Sequence, residues 1–228
     1  MSKEYLSGLK IRKDYQEDNQ IFLKKRVYIT FNNLLKTFFN KQFSKDEKLI
    51  DLGAANGAFV KVANQNGLIS IGLDIEELNF ETDKIKLESN KYDYVTAISL
   101  IEHLHNPKNL LNEILRILKP GGFFILVTPN WSYSYKNFYD DPTHVQPYTK
   151  KSLNFLLKIH GFSNIKIVPW LVCKPLWMWK IPFSFLLARL IPFGGVKDNK
   201  NYLIPSFLKG KSKTLLAVCK KQDFKFKN

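Results

Sequence analysis

The stretch of residues 48–59 constrains this chain most, because it has the pattern of a buried strand that ends in an acid and turns on glycines into a helix. Apolar residues surround Asp51, and Gly53 and Gly57 follow it. Glycine adopts positive φ angles readily and lets the main chain approach a ligand, while the first turn of a helix directs free N–H groups to the same place. The sequence therefore predicts a loop that binds a nucleotide-type cofactor.

The residue between the two glycines bears on which cofactor the loop takes. A dinucleotide fingerprint needs a glycine where this chain has Ala55, because only glycine lets the main chain touch a pyrophosphate there. A second predicted strand, residues 68–73, ends at Asp74. A carboxylate about twenty residues past the glycine turn can accept both hydrogen bonds of a ribose diol. Asp74 therefore supports adenosine binding without identifying the cofactor.

Size and cysteine usage limit the class of protein. The 228 residues, 45% of them hydrophobic, suffice for one sizeable domain with a core. The two cysteines, Cys173 and Cys219, are far apart and have no CxxC spacing, which argues against a disulfide framework and a zinc ribbon. No His, Cys and Asp residues have metal-ligand spacing, so no metal is predicted. No stretch has the ~18 apolar residues that cross a bilayer, and a cytoplasmic location is expected.

The formal net charge of +15 leaves three explanations open. The lysines can simply form a solvated surface. They can also attract an anionic lipid or lipid-linked substrate, or a nucleic acid. Charge alone does not choose among them.

Strand-like and helix-like segments alternate along the chain, which predicts an α/β fold with a mostly parallel sheet. Residues 1–45 are expected to form a helical N-terminal extension, and residues 46–228 the main domain. After the first two strands, residues 76–91 are predicted to be a loop. The remaining strands are expected at residues 92–100, 123–127, 164–168 and 214–220, and the helices at residues 57–65, 107–118 and 149–160. Lys119 to Gly122 should end the second of these helices in a turn.

Three further motifs follow the glycine turn. Asp83-Lys-Ile-Lys-Leu87 comes first, a Tyr-Asp pair and a Glu-His-Leu sequence lie within residues 91–104, and Leu-Lys-Pro-Gly-Gly lies within residues 117–130. In this order, the motifs resemble those of class I S-adenosylmethionine-dependent methyltransferases, in the branch that acts on ubiquinone precursors, glycans and small molecules. The likeness covers roughly residues 45–168.

The resemblance implies a Rossmann-like doubly wound sheet of seven strands, mostly parallel, with an antiparallel last strand. It also implies S-adenosyl-L-methionine as the cofactor. By this likeness, Asp83 would bond the adenine amino group beside Lys84 and Ile85, and residues 99–103 would lie by the methionine part. The implied cofactor-binding residues are Asp51, Gly53, Ala54, Ala55, Asn56, Gly57, Asp74, Ile75, Asp83, Lys84, Ile85, Ser99, Leu100 and His103.

Residues 137–150 resemble an acid-x-Thr-His-x-x-x-Tyr-Thr element of the same branch. The catalytic candidates are His144, Asp141 and His103. An imidazole such as His144 can take a proton from an acceptor hydroxyl, and Asp141 would orient it. The alternative is that His144 and Asp141 only cap the loop and the next helix.

Residues 170–213 form an insertion rich in aromatic residues, interspersed with lysines. A long connection of this kind is usually functional. It could build the acceptor pocket, make a peripheral contact at the inner membrane face, or form an oligomer contact. The chain is accordingly expected to be a monomer or a homodimer.

These features predict an enzyme that moves a methyl group to an oxygen or nitrogen of a small molecule, a sugar or glycan, or a lipid-linked intermediate. An RNA methyltransferase is favoured by the charge, but residues 99–102 lack the Asn/Asp-Pro-Pro-aromatic element of enzymes that methylate base amines. An NAD-dependent oxidoreductase is disfavoured by Ala55. A non-catalytic partner subunit is disfavoured by the intact acids and glycines.

Overall fold

The computed structural model describes residues 17–169 and 213–222 of the chain. The helices are α1 (Glu17–Phe39), α2 (Ala58–Gln65), α3 (Lys108–Ile117), α4 (Trp131–Ser134) and α5 (Lys150–Ile159). The strands are β1 (Lys48–Leu52), β2 (Ile69–Leu73), β3 (Tyr92–Ile98), β4 (Leu118–Pro129), β5 (Phe162–Pro169) and β6 (Thr214–Lys221), and single 3-10 turns span Ile101–His103 and Phe138–Asp140. The predicted insertion, apart from its last residue, lies outside the described residues, as do residues 1–16.

The strands form one sheet in the order β2-β1-β3-β4-β6-β5. β2, β1, β3 and β4 are mutually parallel, whereas β6 runs antiparallel to both β4 and β5. The predicted Rossmann-like α/β sheet with an antiparallel last strand is confirmed.

The described sheet has six strands, so the expected seventh is missing from this part of the chain. Residues 74–91 contain neither helix nor strand, as predicted for residues 76–91. A crossover between parallel strands takes a dozen or more residues. This connection is therefore long enough to reach β3 directly but too short to add a strand with crossovers of its own.

Alternating side chains of the strands face two separate hydrophobic cores. Leu49 packs with α1 and α2, while its neighbour Ile50 faces the other side, where α3 and α5 pack. Phe31 of α1 and Phe59 of α2 are both fully buried, with ring centroids 5.5 Å apart. Helix α1 thus covers the sheet rather than projecting from it. No helix in the described ranges is both long and apolar enough to span a membrane.

The Leu-Lys-Pro-Gly-Gly motif ends α3 and bends the chain as predicted, but the bend is a bulge within β4 rather than a loop before it. Helix α3 ends at Ile117, as expected, but the following residues already belong to β4. Lys119 reaches across to β3, where its Nζ lies 2.7 and 2.8 Å from the two carboxylate oxygens of Asp93. Asp93 also accepts a hydrogen bond from the Lys48 backbone N–H, so one carboxylate links three strands. Between Leu118 and Phe123 the partner strand β3 advances only from Tyr92 to Tyr94, and Gly121 has a φ of +71°, so the segment bulges out of the strand pairing.

Candidate active site

The glycine turn after β1 packs against the end of β2. The N–H groups of Gly53 and Ala54 both donate to the carbonyl of Leu73, at 2.8 and 3.1 Å. The φ angles are +74° at Gly53, +50° at Ala55 and +70° at Gly57. Glycine accommodates such angles without strain, and a short loop can therefore curl tightly into α2.

A close contact fixes the distance between this turn and β2. A Cβ atom built on Gly72 would lie only 2.5 Å from the Cβ of Ala54 and 3.2 Å from Cγ2 of Val60. No side chain larger than hydrogen fits at position 72 unless the turn moves. The turn and the end of β2, which leads into Asp74, are thus held as one unit.

Asp51 is a buried carboxylate at the end of β1. Its Oδ1 accepts a hydrogen bond of 2.6 Å from the hydroxyl of Thr96 on β3. Burial raises the pKa of Asp51 from 3.8 to about 6, against the opposing effects of Thr96 and of Lys24 on α1. The pKa of Lys24 is itself lowered by burial, which Asp51 partly offsets. Helix α1 therefore brings a cation toward the strand end.

Asp74 and Ile75 follow β2 and are half-buried. Asp74 Oδ1 accepts a hydrogen bond from the backbone N–H of Ile75 at 2.8 Å. The described part of the chain gives Oδ2 no hydrogen-bond partner, so this oxygen can accept one from a ligand.

Of the three residues predicted to lie beside the adenine, two are at the surface and one is in the core. Asp83 is exposed, and its two oxygens accept hydrogen bonds from the Asn79 backbone and the Thr82 hydroxyl, which lower its pKa. Lys84 is exposed as well, whereas Ile85 is buried among the core residues. The segment thus presents its acid and its lysine at the surface.

Residues 99–103, which follow β3, extend the candidate site beyond the glycine turn. Ser99 has a φ of +55°, and its N–H donates to the carbonyl of Val127. Leu100 is buried against the turn, because a Cβ on Gly53 would lie 3.4 Å from its side chain. This contact joins the glycine turn to the residues that precede His103.

Glu102 is completely buried at the far side of this segment. Its Oε2 accepts a hydrogen bond of 3.0 Å from Thr128 of β4, while Oε1 has no hydrogen-bond partner in the described part of the chain. Burial raises the pKa of Glu102 from 4.5 to about 7, against the opposing effects of its own backbone and of the Thr128 and Ser99 hydroxyls. Its carbonyl oxygen accepts hydrogen bonds from the N–H groups of Val145 and Gln146, so it anchors the loop that carries His144.

His103 and His144 lie side by side, with ring centroids 4.8 Å apart. Nδ1 of His103 is 3.1 Å from the carbonyl of Thr143, and Nδ1 of His144 is 2.7 Å from the carbonyl of Phe138. Because a carbonyl only accepts, each Nδ1 carries the hydrogen, and each neutral ring keeps a lone pair on Nε2. The pKa of His103 is lowered by burial and by the neighbouring His144.

Asp141 is coupled to His103 through Thr143. The Thr143 hydroxyl donates to Oδ1 of Asp141 at 2.6 Å and lies 2.9 Å from Nδ1 of His103. The sequence interpretation paired Asp141 with His144. Burial acts to raise the pKa of Asp141, but hydrogen bonds from Thr143 and the nearby His144 and His103 together lower it, so the acid interacts with both rings. His144 is oriented by the carbonyl of Phe138, which the sequence did not indicate.

The predicted residues thus form two neighbouring groups at the carboxyl ends of the parallel strands. One holds Asp51, residues 53–57, Asp74 and Ile75, and the other holds residues 99–103, Asp141 and His144. The sequence interpretation missed the polar partners that orient them, namely Lys24, Thr96, Thr128 and Thr143. Thr96 and Thr128 had a signal, because each is a polar residue within a strand whose other side chains are mostly apolar.

The comparisons with known proteins agree on one family. A family model described as a methyltransferase domain matches residues 22–167. A ubiquinone biosynthesis O-methyltransferase of Coxiella burnetii (strain Dugway 5J108-111) is 23% identical over 108 residues, which are 39% of this chain and 46% of that protein. The chain therefore spans about half the length of the curated relatives it matches.

Solved structures share the fold over most of the chain. A SAM-dependent methyltransferase from Archaeoglobus fulgidus has a TM-score of 0.56 at 20% identity, covering 96% of this chain and 100% of that one. A putative Haloferax volcanii methyltransferase, solved in complex with the Trm112 methyltransferase activator, has a TM-score of 0.62 at 14% identity and covers 90% and 94% of the two chains. At these identities the likeness concerns the fold alone.

Proposed function

This chain belongs to the class I S-adenosylmethionine-dependent methyltransferase family, and from that premise we propose that it methylates a hydroxyl oxygen of a small molecule. The observation that carries the proposal is the adjacency of two groups of residues. A turn with carboxylates, suited to an adenosyl group, adjoins a pair of imidazoles whose Nε2 lone pairs can receive a proton.

The first group fits the cofactor. Asp74 Oδ2 can accept from a ribose hydroxyl, and the small residues 53–57 leave the main chain accessible. S-adenosylmethionine carries an ammonium and a sulfonium charge, and Asp51 supplies a buried negative charge near which a cation is favoured. Asp83, Lys84 and Ile85 are proposed to flank the purine, and residues 99–103 the methionine part.

S-adenosylmethionine supplies, when bound, an electrophilic methyl carbon on its sulfonium. The task of the protein is to hold the acceptor oxygen in line with that carbon and to exclude water, and orientation contributes the larger share of the rate. We propose that Nε2 of His103 or of His144 accepts the hydroxyl proton. The Thr143 and Phe138 carbonyls keep both rings in the tautomer that this role requires.

An oxygen acceptor is supported by the paired basic nitrogens and by the similarity to the Coxiella relative, an O-methyltransferase. The short match to that relative gives no support for ubiquinone precursors in particular. RNA is the second candidate, because the net charge of +15 favours polyanions.

The cofactor site is tested by calorimetry with S-adenosylhomocysteine and with NAD. We expect the wild-type chain to bind S-adenosylhomocysteine, and Asp74→Ala to weaken that binding at least tenfold, since a hydrogen bond to a charged group is worth about 1.5–3 kcal/mol. Glu77→Ala, an exposed acid three residues further on, is the matched control and should bind normally. Binding of NAD without S-adenosylhomocysteine would reverse the assignment.

The acceptor class is tested with S-adenosylmethionine tritiated on its methyl group. The protein is incubated with cell extract, which is then separated into small-molecule, lipid and RNA fractions. Label is expected in the small-molecule fraction as an ether that resists alkali, and it should be missing with Asp74→Ala. Label concentrated in RNA would overturn the small-molecule proposal while leaving methyl transfer intact.

A further inference from the structure

We infer that Glu102, His103 and His144 form a binding site for a divalent transition-metal ion at the acceptor end of the active site. The role of the ion in methyl transfer rests on the proposed function, whereas its binding does not. The sequence predicted no metal, because His144 is 41 residues from His103 and no ligand spacing is visible.

The ligand atoms converge from two segments. One nitrogen of each histidine and one carboxylate oxygen of Glu102 all lie within 4.8 Å of one another. Protein ligands stand about 2.0–2.2 Å from a bound transition metal such as zinc. Two ligands of one ion can then be at most about 4.4 Å apart, so a small inward rotation of the side chains would close the site.

The outer contacts of both histidines suit metal ligation. Metal-binding histidines usually donate their other ring N–H to a carbonyl or carboxylate, which fixes the tautomer and aims the free nitrogen at the ion. His103 and His144 do so toward the carbonyls of Thr143 and Phe138. Asp141 adds a further contact behind His103, because it accepts a hydrogen bond from the hydroxyl of Thr143.

Glu102 supplies an independent observation. Its side chain is fully buried, and Oε1 has no hydrogen-bond partner in the part of the chain that the structure describes. An unpartnered buried carboxylate oxygen is costly unless a cation or donor meets it. An ion bound by the two histidines would satisfy this oxygen, while Thr128 continues to hold Oε2.

The donor set indicates the kind of ion. Two imidazole nitrogens with one carboxylate suit Mn²⁺, Fe²⁺, Co²⁺ or Zn²⁺, whereas Mg²⁺ and Ca²⁺ prefer oxygen ligands throughout. Three protein ligands leave coordination positions open, which is the arrangement of catalytic rather than structural sites. An acceptor hydroxyl could occupy such a position and ionise more readily there. His103 and His144 would then act as ligands instead of proton acceptors.

The test uses the full chain after dialysis against EDTA. Co²⁺ is titrated in while visible absorption is followed, and free Mn²⁺ is counted by electron paramagnetic resonance. One ion per chain is expected, and Glu102→Gln, His103→Gln and His144→Gln should each weaken binding at least about tenfold, since even the outer contacts of a metal site are worth about 10–100-fold. His105→Gln is the matched control, because His105 is exposed and only two residues from His103.

S-adenosylhomocysteine binding is measured on the same samples. It should persist without metal and in His144→Gln, which shows that this variant is folded and separates failure of the metal site from failure of the cofactor site. The inference is overturned if neither ion binds stoichiometrically. It is also overturned if His144→Gln binds as tightly as His105→Gln, which would mean an adventitious ion only.

Discussion

Replacing Asp51 with Asn is expected to raise the free energy of unfolding of the cofactor-free protein by about 2–3 kcal/mol at pH 7.5. A pKa raised from 3.8 to about 6 corresponds to about 3 kcal/mol, since each tenfold change in proton affinity is worth about 1.4 kcal/mol. The pKa of Asp51 is higher in the folded than in the unfolded wild-type protein. The contribution of the protonated Asp51 carboxyl to stability is therefore present at low pH and is lost as pH rises through about 6. Asparagine keeps the hydrogen bond from Thr96 without the buried charge.

Denaturant unfolding from pH 4.5 to 7.5 checks this expectation. The gain should shrink to about 1 kcal/mol at pH 4.5, where Asp51 of the folded wild type is mostly protonated. Asp46→Asn replaces an exposed acid and should change stability by less than about 0.5 kcal/mol at every pH. A gain that did not depend on pH would mean that the buried charge is not its cause.

The same substitution should weaken S-adenosylhomocysteine binding at least tenfold, since a buried charge pair broken on one side typically costs several kcal/mol. On the proposed function, the carboxylate destabilises the free protein and serves to bind the cofactor, a pattern common at functional sites.

The second large effect is expected at Gly72. In Gly72→Ala the new Cβ would lie 2.5 Å from the Cβ of Ala54, so either the glycine turn or β2 must shift. We expect a loss of about 1–3 kcal/mol in the free energy of unfolding, as for other overpacked sites. S-adenosylhomocysteine binding should fall at least tenfold, because ligand groups misplaced by about 1 Å lose much of their effect.

A second substitution tests whether the loss of stability comes from this contact or from a general intolerance of β2 to substitution. Ala54→Gly removes the opposing Cβ, so the double variant Gly72→Ala/Ala54→Gly should regain more than half of the lost stability. Ser70→Ala lies on the same strand. The hydroxyl it removes is buried and has no hydrogen-bond partner among the residues that the structure describes, so this control should be neutral or stabilising. A double variant no more stable than Gly72→Ala alone would show that Ala54 is not the obstacle.

Much of the fold followed from the sequence because most strands are short, largely apolar segments, and the first two are followed directly by Gly53 and Asp74. The turn at residues 53–57 and the loop at residues 76–91 were predictable, since both have few apolar residues and the first needs positive φ angles. The segment from Leu118 to Gly122 was predicted in part. Local turn chemistry gives the bend at Gly121, but pairing with β3 on both sides of it makes the bend a bulge within β4.

The candidate site was predictable in its residues more than in its pairings. Asp51 and Asp74 could be placed together because parallel strands end at one edge of the sheet. The contacts of Thr143 with His103, and of Phe138 with His144, depend on how a loop folds back over that edge. The buried oxygen of Glu102 likewise became visible only once the loop was in place.

The position of β6 has a consequence for synthesis. β6 comes last among the described strands but lies between β4 and β5, and it is the only described neighbour of β5. A nascent chain that has reached Pro169 can assemble the four parallel strands, yet the outer edge of β4 stays open until residues 214–221 emerge. Such late, long-range closure is slow and leaves a strand edge available for intermolecular pairing. Ribosome-bound intermediates of this protein are therefore expected to need a chaperone most in the interval between those two strands.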